Sequence, residues 1–201
     1  MITLIATIHK ECGLCNTDQL YKIIERIAPD VIFEEIPPHK FRSVYQGLLQ
    51  HSLETYTIKR YLQKQAIAHH PVDLDESEMS NADFRKACAR MFHTFSHYSY
   101  DYNNLLNERS RLTEQLGFPY LNSEQCSELM ERIHSLEESM VQKINNDELF
   151  QVRKTWLDFI DRRRNAMISN IYHYLEVNSY EKALFLVGTE HRNPIIQKIA
   201  D

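Results

Sequence analysis

Ile2-Thr3-Leu4-Ile5-Ala6-Thr7-Ile8 and, one helix later, Val31-Ile32-Phe33-Glu34-Glu35 are the stretches that decide how this chain folds. The first is short, rich in β-branched residues and almost continuously apolar, as a strand covered on both faces must be. Between the two, Leu20, Ile23, Ile24 and Ile27 recur at helical spacing behind an Asn16 or Thr17 cap, and Pro29-Asp30 ends the helix. Pro37-Pro38 closes the second strand. A strand–helix–strand unit of this length implies a parallel, right-handed crossover.

Further along, residues 41–65 read as helical with a break near Gln50, and residues 66–74 as a third strand with a polar end, His69-His70-Pro71-Val72-Asp73-Leu74-Asp75. Residues 81–177 are helical in period, interrupted at Gly117-Phe118-Pro119. Ala183-Leu184-Phe185-Leu186-Val187 is a last strand, followed by Gly188-Thr189-Glu190-His191 and a short helix that Pro194 would open. The expectation is a single α/β domain over residues 1–201. It has a small, mostly parallel sheet with flanking helices and a large helical insertion or lid, residues 80–177, before the last strand.

Composition narrows the partners. A formal net charge of −5 argues against a polyanion, so nucleic acid is not expected; Arg162-Arg163-Arg164 alone is the pattern of a solvated helix face. No apolar run approaches the roughly 20 residues that span a bilayer, and the first residues lack a basic leader, so no membrane partner is expected and the cytoplasm is the expected compartment. The 4 cysteines are then read as reduced thiols.

The chemistry lies in a likeness between the two ends of the chain. Leu4-Ile5-Ala6-Thr7-Ile8-His9 and Leu186-Val187-Gly188-Thr189-Glu190-His191 share one form: an apolar strand, a small residue, Thr, any residue, His. Small residues there let the backbone turn sharply, and each His leaves the carboxyl end of its strand, the edge where parallel sheets bind ligands. Glu34-Glu35 reaches the same edge after the second strand, and Asp73 would add an acid after the third. Two imidazoles and a carboxylate, His9, His191 and Glu35, are a set that can hold a divalent metal with positions left open, or a substrate by hydrogen bonds alone. On the late helix the apolar stripe Leu157, Ile160, Ile168, Ile171, Leu175 is interrupted by Arg164. A guanidinium facing inward needs a carboxylate, and Glu34 or Glu35 is the expected partner.

Ala6-Thr7-Ile8-His9, Pro29-Asp30-Val31-Ile32-Phe33-Glu34-Glu35, Arg164-Asn165 and the closing Gly188-Thr189-Glu190-His191 together resemble the TraB/TIKI superfamily. That grouping includes ChaN-like haem-binding lipoproteins and erythromycin esterase-like proteins. The resemblance covers both ends of the chain and says little about residues 76–150. It places His9, His191, Glu35 and Arg164, with Asn165 beside it, in the family's functional positions, and Glu35 fits the register better than Glu34. It departs at Ala6, where glycine is usual, and lacks the membrane anchor and the lipoprotein signal of some members. It implies a hydrolase, peptidase- or esterase-like, acting on a small molecule or peptide with one Mn2+, Zn2+ or Co2+ on His9, His191 and Glu35. The ion would acidify a bound water, the glutamate left free of it would be the general base, and Arg164 would stabilise the oxyanion.

Other readings compete. Cys12-Gly13-Leu14-Cys15 has the C-x-x-C form of a redox dithiol. Phe92, Phe95, Tyr98, Tyr100 and Tyr102 would suit a flat ligand such as haem in a non-catalytic binding protein, if they lined the cleft. The stripe Leu129, Ile133, Leu136, Met140 is either core or the seam of a homodimer. His69 and His70, adjacent on a strand, must face opposite ways.

Overall fold

A computed structural model describes residues 1–49, 51–75 and 81–200 of the chain. The fold is α/β, built on a four-stranded, all-parallel sheet of order β1-β4-β2-β3. The strands are β1 (Ile2–Thr7), β2 (Val31–Glu34), β3 (Ala68–Pro71) and β4 (Ala183–Gly188). The last strand enters between the first two, so β4 pairs with residues about 180 positions away in β1 and about 150 away in β2. All of β2 and all of β4 up to Val187 are buried, which is why they read as unbroken apolar runs, whereas β1 and β3 are edges and only partly covered.

Alternation along the two central strands divides the core. Ile32, Leu184 and Leu186 join one cluster with Leu20 and Ile24 of α1 (Thr17–Ile27) and Ile58 of α3 (Leu53–Leu62). Val31, Phe33, Ala183, Phe185 and Val187 point the other way, into a cluster with Met167 and Ile171. The preceding helix, α2 (Pro38–Tyr45), is separate from α3; Gln50, where the sequence suggests a break, lies outside the described residues. At Ala6 on the free edge of β1, Asn122 accepts from the N–H at 2.8 Å and donates to the carbonyl at 3.2 Å, as a neighbouring strand would.

The helices between β3 and β4 are α4 (Ala82–Tyr98), α5 (Tyr100–Leu116), the single turn α6 (Phe118–Leu121), α7 (Glu124–Ile144) and α8 (Asp147–Val177). The interruption expected at Gly117-Phe118-Pro119 is the α5–α6 junction, with Gly117 at φ +66°. Helix α8 is 31 residues long, about 46 Å at 1.5 Å per residue, and serves two cores. Leu149 near its start packs with the insertion helices, while Met167 and Ile171 lie under the sheet. Its middle therefore passes across the carboxyl edge of the strands. The stripe Leu129, Ile133, Leu136, Met140 of α7 is spent inside this core. No described helix is long and apolar enough to cross a membrane.

One expectation needs correction. The closing helix, α9 (Thr189–Ala200), begins five residues before Pro194 and carries His191 in its first turn. The C-x-x-C segment is a docking loop: Cys12 and Cys15 exchange backbone hydrogen bonds of 2.9 Å, and the Leu14 N–H donates to the Glu114 carbonyl of α5 at 2.9 Å. Cys15 is fully buried, and burial pushes its thiol up to about 12, while Cys12 is partly exposed.

Gly13 is fixed by this docking, because it holds φ +54° and a Cβ there would collide with the Glu114 carbonyl. Gly47 has φ +77° but open space around it. Gly13→Ala should therefore destabilise the fold beyond the roughly 1–3 kcal/mol of a left-handed alanine, and Gly47→Ala by no more than that strain, as read by urea denaturation.

Candidate functional site

The pairing of β1 with β4 in parallel sends both histidine motifs off one edge. The register aligns Thr7 with Gly188, one residue away from the match between the two motifs, and the two motif threonines use that offset to tie the strand ends. The Thr189 hydroxyl donates to the Thr7 carbonyl at 2.9 Å, and the Thr7 hydroxyl lies 3.3 Å from the Val187 carbonyl. Beyond this knot opens a cleft of about 1070 Å³ between the strand ends and helices α5, α7 and α8. His9, Glu35, Arg163, Arg164, Gly188 and His191 line it at the sheet, and Phe92, Leu106, Ile133 and Trp156 are among its apolar walls.

Glu35 is the hub. Its Oε2 accepts the Gly188 N–H at 2.6 Å, which explains the glycine: a Cβ there would stand 3.1 Å from that oxygen. Its Oε1 accepts from Arg163 Nη2 at 2.5 Å and lies 3.3 Å from His191 Nε2. Burial alone would raise the Glu35 carboxyl, but the His191 hydrogen bond and the charges of His191, Arg163 and His9 hold it well below the usual carboxylate range.

Arg163, rather than Arg164, is the guanidinium that meets Glu35. It also grips Asp73 at both oxygens, Nε to Oδ1 at 2.9 Å and Nη2 to Oδ2 at 2.7 Å. The expected stripe holds at Ile160, Ile168, Ile171 and Leu175, which are buried or pack against the core, and Arg164 interrupts it at the cleft wall. The buried face of α8 includes Arg153, Ile160, Met167 and Ile171, while Leu157 is half exposed, so the helix is turned to bring Arg163 and Arg164 both to the strand edge. Arg164 Nε–H donates to His191 Nδ1 at 3.3 Å, and Nη2 donates to the Glu190 carbonyl at 2.9 Å. Pro194 frees that carbonyl, because position 194 supplies no N–H to the i−4 acceptor of its helix. Arg163 Nη1 lies 3.3 Å from His191 Nε2, so each ring nitrogen faces a guanidinium, with Glu35 Oε1 also beside Nε2.

His9 stands at the mouth with its side chain 62% exposed. Its Nδ1 lies 3.2 Å from Glu54 Oε1, which also accepts from the Thr7 hydroxyl at 2.6 Å. Helix α3 makes this contact because its capping box at Ser52 and Thr55 starts the helix where the Leu53 N–H donates to the His9 carbonyl at 3.0 Å, putting Glu54 in the first turn beside the ring. The hydrogen bond to Glu54, supported by its charge, raises His9 to about 9. Glu54 Oε2 is buried without a partner among the described residues, and Glu54 borders a cavity of about 20 Å³ with His9, Glu34 and Glu35, room for one water.

Glu34 and Asn165 stand apart from this group. Glu34 alternates to the other face of β2, where it accepts from Tyr45 Oη at 2.5 Å and His69 Nδ1 at 2.7 Å, and burial raises its carboxyl. Asn165 is exposed and donates to Asp161 at 3.2 Å. His69 and His70 do face opposite ways, His69 onto Glu34 and His70 onto the Tyr174 ring. Of the aromatic cluster, Phe92 and Tyr102 border the cleft, Phe95 is fully buried, and Tyr98 and Tyr100 are exposed. Sequence reasoning missed Glu54, Arg163 and Glu190; only the capping box gave a signal for the first.

The donors His9, Glu35 and His191 do not fit a shared metal as they are arranged. Both His191 nitrogens and both Glu35 oxygens are engaged, His9 Nδ1 is held by Glu54, and the guanidinium of Arg163 supplies the positive charge between the acids. What is left, His9 Nε2 and a second lone pair on Glu35 Oε2, falls short of the three protein ligands a catalytic zinc site uses. Removing that guanidinium leaves Glu35 and Asp73 enclosed without compensation. Arg163→Ala should therefore cost about 3–5 kcal/mol in urea denaturation, and Arg163→Lys should recover only part, having a point charge instead of a fork.

No family model, no curated protein and no solved structure matches this chain.

Proposed function

We propose that the cleft is the active site of a hydrolase acting on an ester, amide or peptide bond of a small molecule or peptide, with His9 as the proton-transfer group and no metal required. The observation that carries this is the His9–Glu54 pair at the mouth of the cleft. A buried carboxylate fixes Nδ1 and leaves Nε2 directed to substrate, the arrangement that orients a catalytic imidazole. Arg164 supports it: Nε and Nη2 are spent on His191 and Glu190, while Nη1 has no protein acceptor among the described residues and lies in the cleft wall.

In this reading a water attacks the substrate carbonyl as His9 Nε2 takes its proton. The oxyanion is met by Arg164 Nη1–H, and His9 returns the proton to the leaving oxygen or nitrogen as the bond breaks. Arg163 stays paired with Glu35 and Asp73 and acts only by holding α8 and His191 in place. Elevation of His9 to about 9 means that most of it carries a proton at pH 7, so the base form accumulates only in mild alkali.

The test is turnover of p-nitrophenyl butyrate and an aminoacyl p-nitroanilide by chelator-treated protein. The wild type should show kcat/KM rising with pH to a plateau above about 9. Glu54→Gln should shift the midpoint down toward the ordinary value of roughly 6.5, and His9→Ala should cost about 10²- to 10⁴-fold with the circular dichroism spectrum unchanged. Undiminished turnover in His9→Ala, or activity that returns only with added Mn2+, Zn2+ or Co2+, would sink the reading. Sign and window also hold for stability: the part due to the His9–Glu54 pair is fully present below the unfolded histidine value and is lost as pH rises through about 9.

A further inference from the structure

Two histidines outside the cleft converge on each other. His93 and His97 lie one turn apart on α4, both exposed, with ring centroids 4.2 Å apart at an interplanar angle of 73°. Their Nε2 atoms are 3.0 Å apart. Two lone pairs cannot face each other at that distance, so in the metal-free protein one ring's N–H donates to the other's nitrogen. A metal ion can take the place of that proton.

The distance selects the ion. With metal–nitrogen bonds of about 2.0–2.1 Å, nitrogens so separated subtend roughly 91–97° at the metal, near the cis angle of a tetragonal site and narrower than the tetrahedral angle of about 109° that zinc prefers. For nitrogen donors the divalent series also peaks at copper. The helix holds the pair in place: Thr94 donates its hydroxyl to the Arg90 carbonyl at 2.9 Å, and the Ser99 N–H closes the last turn on Phe95 at 3.1 Å. Solvent can fill the remaining positions, because both rings are exposed.

We propose that His93 and His97 form a two-histidine surface site for a divalent transition metal, copper before nickel and both before zinc, independent of the cleft. Metal recovered with this protein then reports on α4 and carries no information about His9, Glu35 or His191. The site adjoins the cleft wall through its neighbour in sequence. Phe92 lines the cleft and meets Trp156 edge-on at 5.8 Å, and Trp156 is the only tryptophan in the chain. Paramagnetic Cu2+ on the pair should quench its fluorescence.

The experiment titrates the tag-free full chain with Cu2+, Ni2+ and Zn2+ by calorimetry, Trp156 fluorescence and electron paramagnetic resonance. One Cu2+ should bind per chain with nitrogen hyperfine structure and saturable quenching, and affinity should fall from Cu2+ to Ni2+ to Zn2+. His93→Ala and His97→Ala should each weaken Cu2+ by about tenfold or more, since one arm of the chelate is gone. Both should leave ester turnover unchanged, while His9→Ala should leave Cu2+ binding unchanged. Equal Cu2+ binding in His93→Ala, His97→Ala and wild type, no binding to wild type, or tighter Zn2+ than Cu2+ overturns the site, whatever the outcome for hydrolysis.

Discussion

The arrangement at the strand edge depends on one buried guanidinium. Arg163 reaches from the middle of α8 to Glu35 after β2 and Asp73 after β3, two acids that would repel each other if left together in an enclosed site. Taking three charges out of water is expensive, and only a fork with several aligned donors recovers the cost in mutual attraction. The contact also sets the rotation of α8. Once Arg163 is seated, Arg164 must stand beside it on the same edge, with its guanidinium against His191 and the Glu190 carbonyl. Charge compensation at Arg163 and the placement of a cation in the cleft are thus a single event.

The sheet order makes the site a late product of folding. Because β4 enters between β1 and β2, neither early strand has its central neighbour until the last twenty residues of the chain are in place. Contacts of such sequence separation carry a large closure cost and slow folding. The threonine knot between Thr7 and Thr189 and the Gly188 N–H on Glu35 then join three strand ends at one point. His9, Glu35 and His191 share a cleft because of that insertion, although they are far apart in the chain.

Much of this was legible beforehand, and for definite reasons. Continuous apolar runs gave the central strands, the crossover rule gave their direction, and the paired motifs at His9 and His191 followed from both. The same local rules failed where rotation or distance mattered. On α8 each residue turns about 100°, so an error of one position exchanges Arg163 for Arg164, and the apolar pattern alone was too loose to prevent it. Pro194 suggested a helix start, whereas the chain uses it inside a helix to leave the Glu190 carbonyl open. Glu54 carried no mark beyond a capping box forty-five residues from the histidine it orients.

The sequence by itself determined which side chains leave the carboxyl edge of a parallel sheet, since strand alternation and crossover handedness are local and chiral constraints. Only the tertiary structure decided which charges meet there. Arg163 rather than Arg164 on Glu35, and Glu54 beside His9, are fixed by how a 31-residue helix and a capped helix start are seated by packing elsewhere. Pairing among buried charges is settled by ångström-scale fit between distant elements, which no window of neighbouring residues contains.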